Sequence, residues 1–204
     1  MIRILKSVAI IMVMGGLLAA CSSSPSNRYY RLQADAPDDR VLGAATSVGL
    51  MPVTVPSWMD SRQITWNDGA YQINKMEYER WGGELQGLVT ETLRENLLRL
   101  SRRKDVSVGP WFADSSPGFV VVVRVQNLIV EDSRMALEAA WQIRNANKKI
   151  IASNPDYLSD MTLRDLKSTE LATPSGEAVA QGFSLLLAEL SEEIAVQLNA
   201  LPGK

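Results

Sequence analysis

The sequence predicts an α+β fold in which two amphipathic helices pack on one face of a mainly antiparallel sheet. Two segments carry apolar residues at helical spacing, and several others alternate apolar with polar residues. The strand-like segments precede the first helix, and a meander of three strands separates it from the second. This order is typical of helices laid on one face of a sheet, so the opposite face would be partly open.

The N-terminal segment has the pattern of an export signal. Arg3 and Lys6 precede an apolar run at 8–19, which ends in Leu18-Ala19-Ala20-Cys21 with small residues before the only cysteine. A membrane-spanning helix needs roughly 20 apolar residues, so this run is too short. We therefore expect a lipoprotein signal peptide at 1–20 and lipidation of Cys21, whose thiol and freed amine would carry the acyl chains that anchor the protein.

The residues after the signal predict a tether and one domain. Residues 21–28 form a lipidated cysteine with a serine-rich, flexible tether, and residues 29–204 form a single periplasmic α+β domain. In well-studied Gram-negative lipoproteins an aspartate after the cysteine causes retention in the inner membrane. Ser22 by that similarity favours the outer membrane, with the domain facing the periplasm.

The composition excludes several kinds of chemistry. The sequence has no histidine and one cysteine, which removes the usual general base, the commonest metal ligand and an internal disulfide. Without residues 1–20 the net charge is −4 and there is no long basic run, which argues against nucleic acid as a partner. The spacing of the available acids does not mark a catalytic pair; these acids are Glu77, Glu79, Asp132 and Asp156. We predict no enzymatic activity, no cofactor and no metal site.

Two strand-forming regions precede the first helix. Residues 47–55 mix β-branched residues with glycine and proline and predict a strand that stops at Pro56. Residues 63–66 and 70–73 flank Asn67-Asp68-Gly69, where Asp-Gly favours a tight hairpin turn.

The first helix is predicted over 83–101, after the flexible pair Gly82-Gly83. Its buried face would consist of Leu85, Leu88, Val89, Thr92, Leu93, Asn96, Leu97 and Leu100. The other face carries Glu91 with Arg94 and Glu95 with Arg99, at spacings that favour ion pairs. The basic residues 102–104 suit the negative end of the helix dipole better than they suit an anion site.

The meander follows. Phe119 to Val130 is the first strand, and the second buries alternate residues, namely Met135, Leu137, Ala139, Trp141 and Ile143. A turn at 145–148 leads to a third strand at 149–152. Residues 154–174 show no clear period, and we expect a helical turn near Leu163.

The closing helix is predicted to begin near Ser175 as N-cap. Its apolar stripe consists of Val179, Phe183, Leu186, Leu187, Leu190, Ile194 and Leu198, and its solvated side carries Glu189, Glu192 and Glu193. Four tryptophans are expected to be packing anchors, namely Trp66, Trp81, Trp111 and Trp141.

Together these landmarks resemble the PqiC-type lipoproteins, also called ABC-type transport auxiliary lipoproteins. The resemblance covers nearly the whole chain after the signal. The order of the landmarks and the distances between them in the sequence are more specific than any one motif. The landmarks are Cys21, Tyr29-Tyr30-Arg31-Leu32, Val53 to Met59, Arg80-Trp81, Glu84-Leu85, Glu95-Asn96-Leu97 and Ala140-Trp141.

The resemblance implies a non-catalytic auxiliary subunit of an envelope lipid-transport system, attached to the outer membrane by its lipid anchor. Its expected partners are a tunnel-forming protein of the MCE class, an inner-membrane transporter component and further copies of itself. Two other functions stay open from the residues: a lipid-anchored periplasmic hydrolase that works without histidine, and a structural lipoprotein that binds the cell wall.

Overall fold

The computed structural model describes residues 25–37, 47–68, 71–101, 105–112, 115–131, 134–162 and 174–201. The predicted signal peptide, Cys21, the basic residues 102–104, Asp132 and the helical turn near Leu163 lie outside these residues. The described part contains one eight-stranded sheet and two helices. The predicted α+β class with two helices is therefore confirmed.

The elements follow one another in the order that the sequence predicts, with additional short strands. The strands are β1 (Arg28–Tyr30), β2 (Val48–Leu50), β3 (Gln63–Asp68), β4 (Gln72–Trp81), β5 (Val106–Val108), β6 (Phe119–Glu131), β7 (Arg134–Asn145) and β8 (Ile150–Thr162). The helices are α1 (Leu85–Leu100), between β4 and β5, and α2 (Gly176–Ala200), after β8.

The sheet is mixed, so the prediction of a mainly antiparallel sheet is wrong. Strand β6 lies at its centre: one edge pairs antiparallel with β7, and the other edge pairs parallel with β2 and then with β3. The pairs β1–β4 and β2–β5 are also parallel, whereas β3–β4 and β7–β8 are antiparallel. Four of the seven strand pairs are thus parallel, and each of these four joins segments that are distant in the sequence.

A β-bulge in β6 keeps its apolar residues on the core side. Val121, Val123 and Val125 are buried at odd positions, whereas Leu128 and Val130 are buried at even positions. The pairing with β7 shifts by one residue between Val125 and Asn127, and β7 buries alternate residues without interruption. One inserted residue therefore restores the match between two long strands.

Both helices pack against the sheet and form one core with it. Every residue of the predicted α2 stripe has a fully buried side chain, and Ser175 caps the helix by accepting from the Ala178 amide at 3.1 Å. The predicted α1 face is also buried, except that Leu88 and Leu100 are half-buried. Trp66, Trp81 and Trp141 belong to the core, where Trp81 meets Phe183 edge to face with ring centres 6.4 Å apart.

Two predicted strands have different limits. The strand expected over 47–55 is regular only at Val48–Leu50, because Pro52 has no amide hydrogen; Thr54 then forms an isolated parallel bridge with Arg124. The irregular segment predicted from 154 is instead a continuation of β8 as far as Thr162. Pro155 lies beside a register shift, and β8 pairs only with β7, so this edge strand tolerates a proline.

The hairpin predicted around Asn67-Asp68-Gly69 is present. Strands β3 and β4 pair antiparallel as far as Asp68 opposite Gln72. Gly69 itself lies outside the described residues.

Candidate functional site

Three of the acidic residues named above lie in the described part of the chain, and they do not form a catalytic pair across the sheet; they are Glu77, Glu79 and Asp156. Glu77 and Glu79 lie on β4, Asp156 lies on β8, and strands β3, β6 and β7 separate the two. Glu77 and Asp156 are exposed, whereas Glu79 is buried.

Glu79 joins β1, β4 and the start of α2. Its carboxylate forms an ion pair with Arg28. Gly176, the first residue of α2, approaches so closely that a Cβ there would lie 2.7 Å from Glu79 Oε2. Burial, together with a hydrogen bond to Glu79, raises the pKa of Tyr30 to about 12. A carboxylate at a helix N-terminus is stabilised by the helix dipole, so Glu79 has a structural role.

The family-like landmarks meet around the two helices. Tyr29 and Tyr30 of β1 pair with Arg80 and Trp81 of β4. Asn96 Oδ1 of α1 accepts from the amides of Asp35 and Ala36, at 3.1 Å each. These landmarks therefore position structural elements instead of forming a reactive site.

A groove lies on the face of the sheet that the helices leave open. Its volume is about 900 Å³, and its floor consists of outward-facing residues of β6 and β7. The strand register places these residues in three successive rows: Val120 beside Arg144, Val122 beside Gln142, and Arg124 beside Ala140. Strand β8 extends the first two rows with Ile150 and Ser153.

Trp111 forms one wall of the groove. Its ring lies against two glycines, since a Cβ on Gly49 would come within 2.4 Å of it and one on Gly109 within 2.9 Å. The indole Nε1 donates to Ser107 Oγ at 2.9 Å, which fixes the ring over β2. Met51, on the same side, is 37% exposed. The sequence prediction that Trp111 is a packing anchor is therefore incomplete, because the ring also lines the groove.

The opposite wall comes from β8 and the β7–β8 turn. Ile150 is 51% exposed and lines the groove together with Pro155 and Lys148. Lys148 adopts a left-handed conformation with φ of 61°, and its amide donates to Asn145 O at 2.8 Å. The side chain of Asn145 accepts from the amides of Asn147 and Lys149, so this turn is well defined without a glycine.

The charge of the groove has one sign. The described residues that line it include Arg124, Arg144 and Lys148 but no aspartate or glutamate. None of these three cations forms an ion pair with a described carboxylate. The Nε atom of Arg144 is buried and has no hydrogen-bond partner among the described residues. The groove thus combines apolar side chains with cations that have no anionic partner among the described residues.

The sequence of β6 contains a signal for this groove. From Phe119 to Val123 the apolar residues occupy both sides of β6, although only one side faces the core. A strand that is apolar on both faces needs cover on both. Val120 and Val122 are the residues whose cover is incomplete, and both line the groove.

Comparison with known proteins identifies the family. A family model described as the ABC-type transport auxiliary lipoprotein component matches residues 30–195. The chain belongs to this family. The resemblance drawn from the sequence landmarks is thereby confirmed. The description of the family gives its members an auxiliary role in transport.

Solved structures share the fold of this auxiliary lipoprotein at low sequence identity. An uncharacterized protein matches with a TM-score of 0.64 and 14% identity, covering 85% of this chain and 99% of that chain. A Xanthomonas campestris protein described under the family name DUF330 matches with a TM-score of 0.66 and 9% identity, covering 84% and 94% of the two chains. A search of the curated proteins gave no match.

Two further observations concern membranes and metals. Neither α1 nor α2, the helices of the described residues, has the length and apolar character needed to span a bilayer. The same residues contain no cluster of three or more acidic, histidine or cysteine side chains arranged to hold a metal ion.

Proposed function

We propose that this auxiliary lipoprotein is a non-catalytic subunit of an MCE/ABC-type envelope lipid-transport system. In this proposal Cys21 carries the lipid anchor, residues 21–28 form the tether, and the single domain at 29–204 faces the periplasm from the outer membrane. The domain holds the tunnel-forming MCE-type protein, which connects to the inner-membrane transporter component, and it self-associates to do so.

The observation that carries the proposal is the family match over residues 30–195, to a transport auxiliary component. The lipobox Leu18-Ala19-Ala20-Cys21 supports the anchor, because its place after a short apolar run is that of a processed lipoprotein. The described domain starts close behind that cysteine: β1 begins at Arg28, so an extended tether spans at most about 25 Å. Such a tether keeps the domain beside the membrane surface.

The proposal is tested by purifying the full lipidated chain from cross-linked cells and identifying what accompanies it. We expect an MCE-type protein and an inner-membrane transporter component in the purified material. Recovery of the chain alone, or with peptidoglycan only, would overturn the proposal.

The matched control is Cys21→Ala, which removes the acyl chains without changing the domain. We expect this variant to leave the outer-membrane fraction. If the variant stays there after a salt wash, protein contacts hold it and the anchoring role of Cys21 is wrong.

A further inference from the structure

We infer that the groove on the helix-free face binds an anionic phospholipid, with an acyl chain on its floor and the headgroup phosphate at its cations. This inference extends the proposed function, on which it rests for the position of the domain at the membrane. It gives the auxiliary lipoprotein a ligand of its own, separate from its protein partners.

The walls and floor supply an apolar surface of the right kind. Val120 and Val122 are the apolar part of the floor, with Ala140 beside them. Trp111 and Met51 belong to one wall, and Ile150 belongs to the other. The volume of about 900 Å³ lies in the range of ~300–1,000 Å³ that ligand pockets occupy. When an apolar ligand displaces water from half-exposed apolar side chains of this kind, the free energy of the system falls, so binding is favoured.

The cations define the other part of the ligand. Arg124 and Arg144 lie two rows apart on adjacent strands, roughly 13 Å along the sheet, with the Gln142 row between them. Lys148 lies at the turn just beyond Arg144. Guanidinium groups bind phosphate through paired hydrogen bonds, and neither arginine forms an ion pair with a described carboxylate that would compete with a phosphate.

A lipid suits this groove better than a peptide does. Strand β6 is paired by β7 along one edge and by β2, Thr54 and β3 along the other. The backbone groups of the floor are therefore engaged within the sheet, and a ligand lying on this face meets side chains only. Extended peptides are commonly held by backbone hydrogen bonds at a free sheet edge, which the groove floor does not offer.

The test places a photo-reactive benzoylphenylalanine at Val122 in the full lipidated chain and irradiates intact cells. We expect a cross-linked adduct whose mass, measured on the purified protein, corresponds to a phospholipid with an anionic headgroup. The double charge reversal Arg124→Glu with Arg144→Glu should lower the yield of this adduct at least tenfold.

The matched control is Arg134→Glu. Arg134 lies on the same strand and the same face as Arg144 but outside the groove, where it pairs with Asp160. This variant should keep the adduct, and thermal unfolding of the purified proteins should show that each variant folds.

Three results would overturn the inference: no lipid adduct, an equal yield in the double variant, or an adduct with a protein instead of a lipid. The co-purification experiment above distinguishes these failures from failure of the proposed function. A double variant that loses the lipid adduct but still recovers the MCE-type partner supports both. A wild-type chain that gives the lipid adduct but recovers no MCE-type partner counts against the partner role only.

Discussion

At the scale of single residues, the polar groups inside apolar patterns carry much of the specificity of this fold. Asn96 is fully buried on the apolar face of α1, and its carbonyl oxygen accepts from two backbone amides of the segment that follows β1. Arg99, one helical turn later, donates to the carbonyl oxygens of Ala34 and Ala36 at 3.1 and 3.3 Å. Helix α1 thereby fixes a segment that has no regular secondary structure.

We predict that Asn96→Ala lowers the free energy of unfolding by about 2–4 kcal/mol, because it leaves two amide donors without their acceptor. Denaturation by urea, followed by circular dichroism, measures the change. Glu91→Ala on the same helix is the control: its ion pair with Arg94 is exposed and should contribute about 0.5 kcal/mol or less. Equal effects of the two substitutions would show that Asn96 does not hold the segment.

The sequence predicts the position of Asn96 but not its partners. Spacing places it on the buried face of α1, whereas the segment at 35–36 is distant in the chain and has no periodic pattern. Thr90 is a similar case, since its hydroxyl accepts from the Val53 amide at 3.0 Å. A hydrogen bond between distant segments depends on the final packing, which a local pattern does not contain.

At the scale of elements, the helices follow closely from the sequence and the sheet follows only in part. The 3.6-residue period places the α2 stripe correctly, and the alternation in β7 places its buried residues correctly. Alternation is the same for parallel and antiparallel neighbours, so it could not predict that β2 and β3 would both run parallel to β6. The sequence predicts this strand only over 149–152, because the edge strand β8 buries only Tyr157 and Ser159.

The acidic side of α2 illustrates the same limit. The sequence predicts that Glu189, Glu192 and Glu193 are solvated; Glu189 and Glu192 are exposed, whereas Glu193 is half-buried. The Glu189 carboxylate also accepts from Ser159, and Glu193 Oε1 accepts from Trp141 Nε1 at 2.8 Å. Glu193 Oε1 also accepts from Asn154 Nδ2 at 2.9 Å. These bonds attach the helix to β7 and β8.

We predict that Glu193→Ala destabilises the protein by about 1–3 kcal/mol, because the nearly buried Trp141 indole loses its acceptor. Glu193→Gln keeps an oxygen in the same place and should cost less. Glu192→Ala, at an exposed neighbouring position, should stay within about 0.5 kcal/mol of the wild type. Urea titration with tryptophan fluorescence tests the order of the three variants, and an equal loss for Glu193→Ala and Glu192→Ala would contradict it.

At the scale of the whole molecule, two tyrosines on opposite edge strands couple folding to alkaline pH. Burial raises the pKa of Tyr157 on β8 to about 12, and the nearby carboxylates of Glu189, Glu193 and Glu192 add to the effect, whereas a hydrogen bond with Ser159 opposes it. Tyr30 on β1 also has a pKa of about 12, mainly through burial. In the unfolded chain both phenols ionise near pH 10.

We predict that the free energy of unfolding falls as the pH rises from about 10 to 12, because only the unfolded chain ionises these phenols in that interval. Below pH 10 both states bind the protons, and the contribution is fully present. Tyr157→Phe removes one such group, so its loss of stability across the interval should be smaller than that of the wild type by up to roughly 2 kcal/mol. Urea denaturation at pH 8, 10, 11 and 12 measures the difference, and the titration of lysines is common to all variants.

Tyr71→Phe, at a fully exposed position, is the control and should follow the wild-type profile. Parallel profiles for Tyr157→Phe and the wild type would show that Tyr157 ionises equally well in the folded protein.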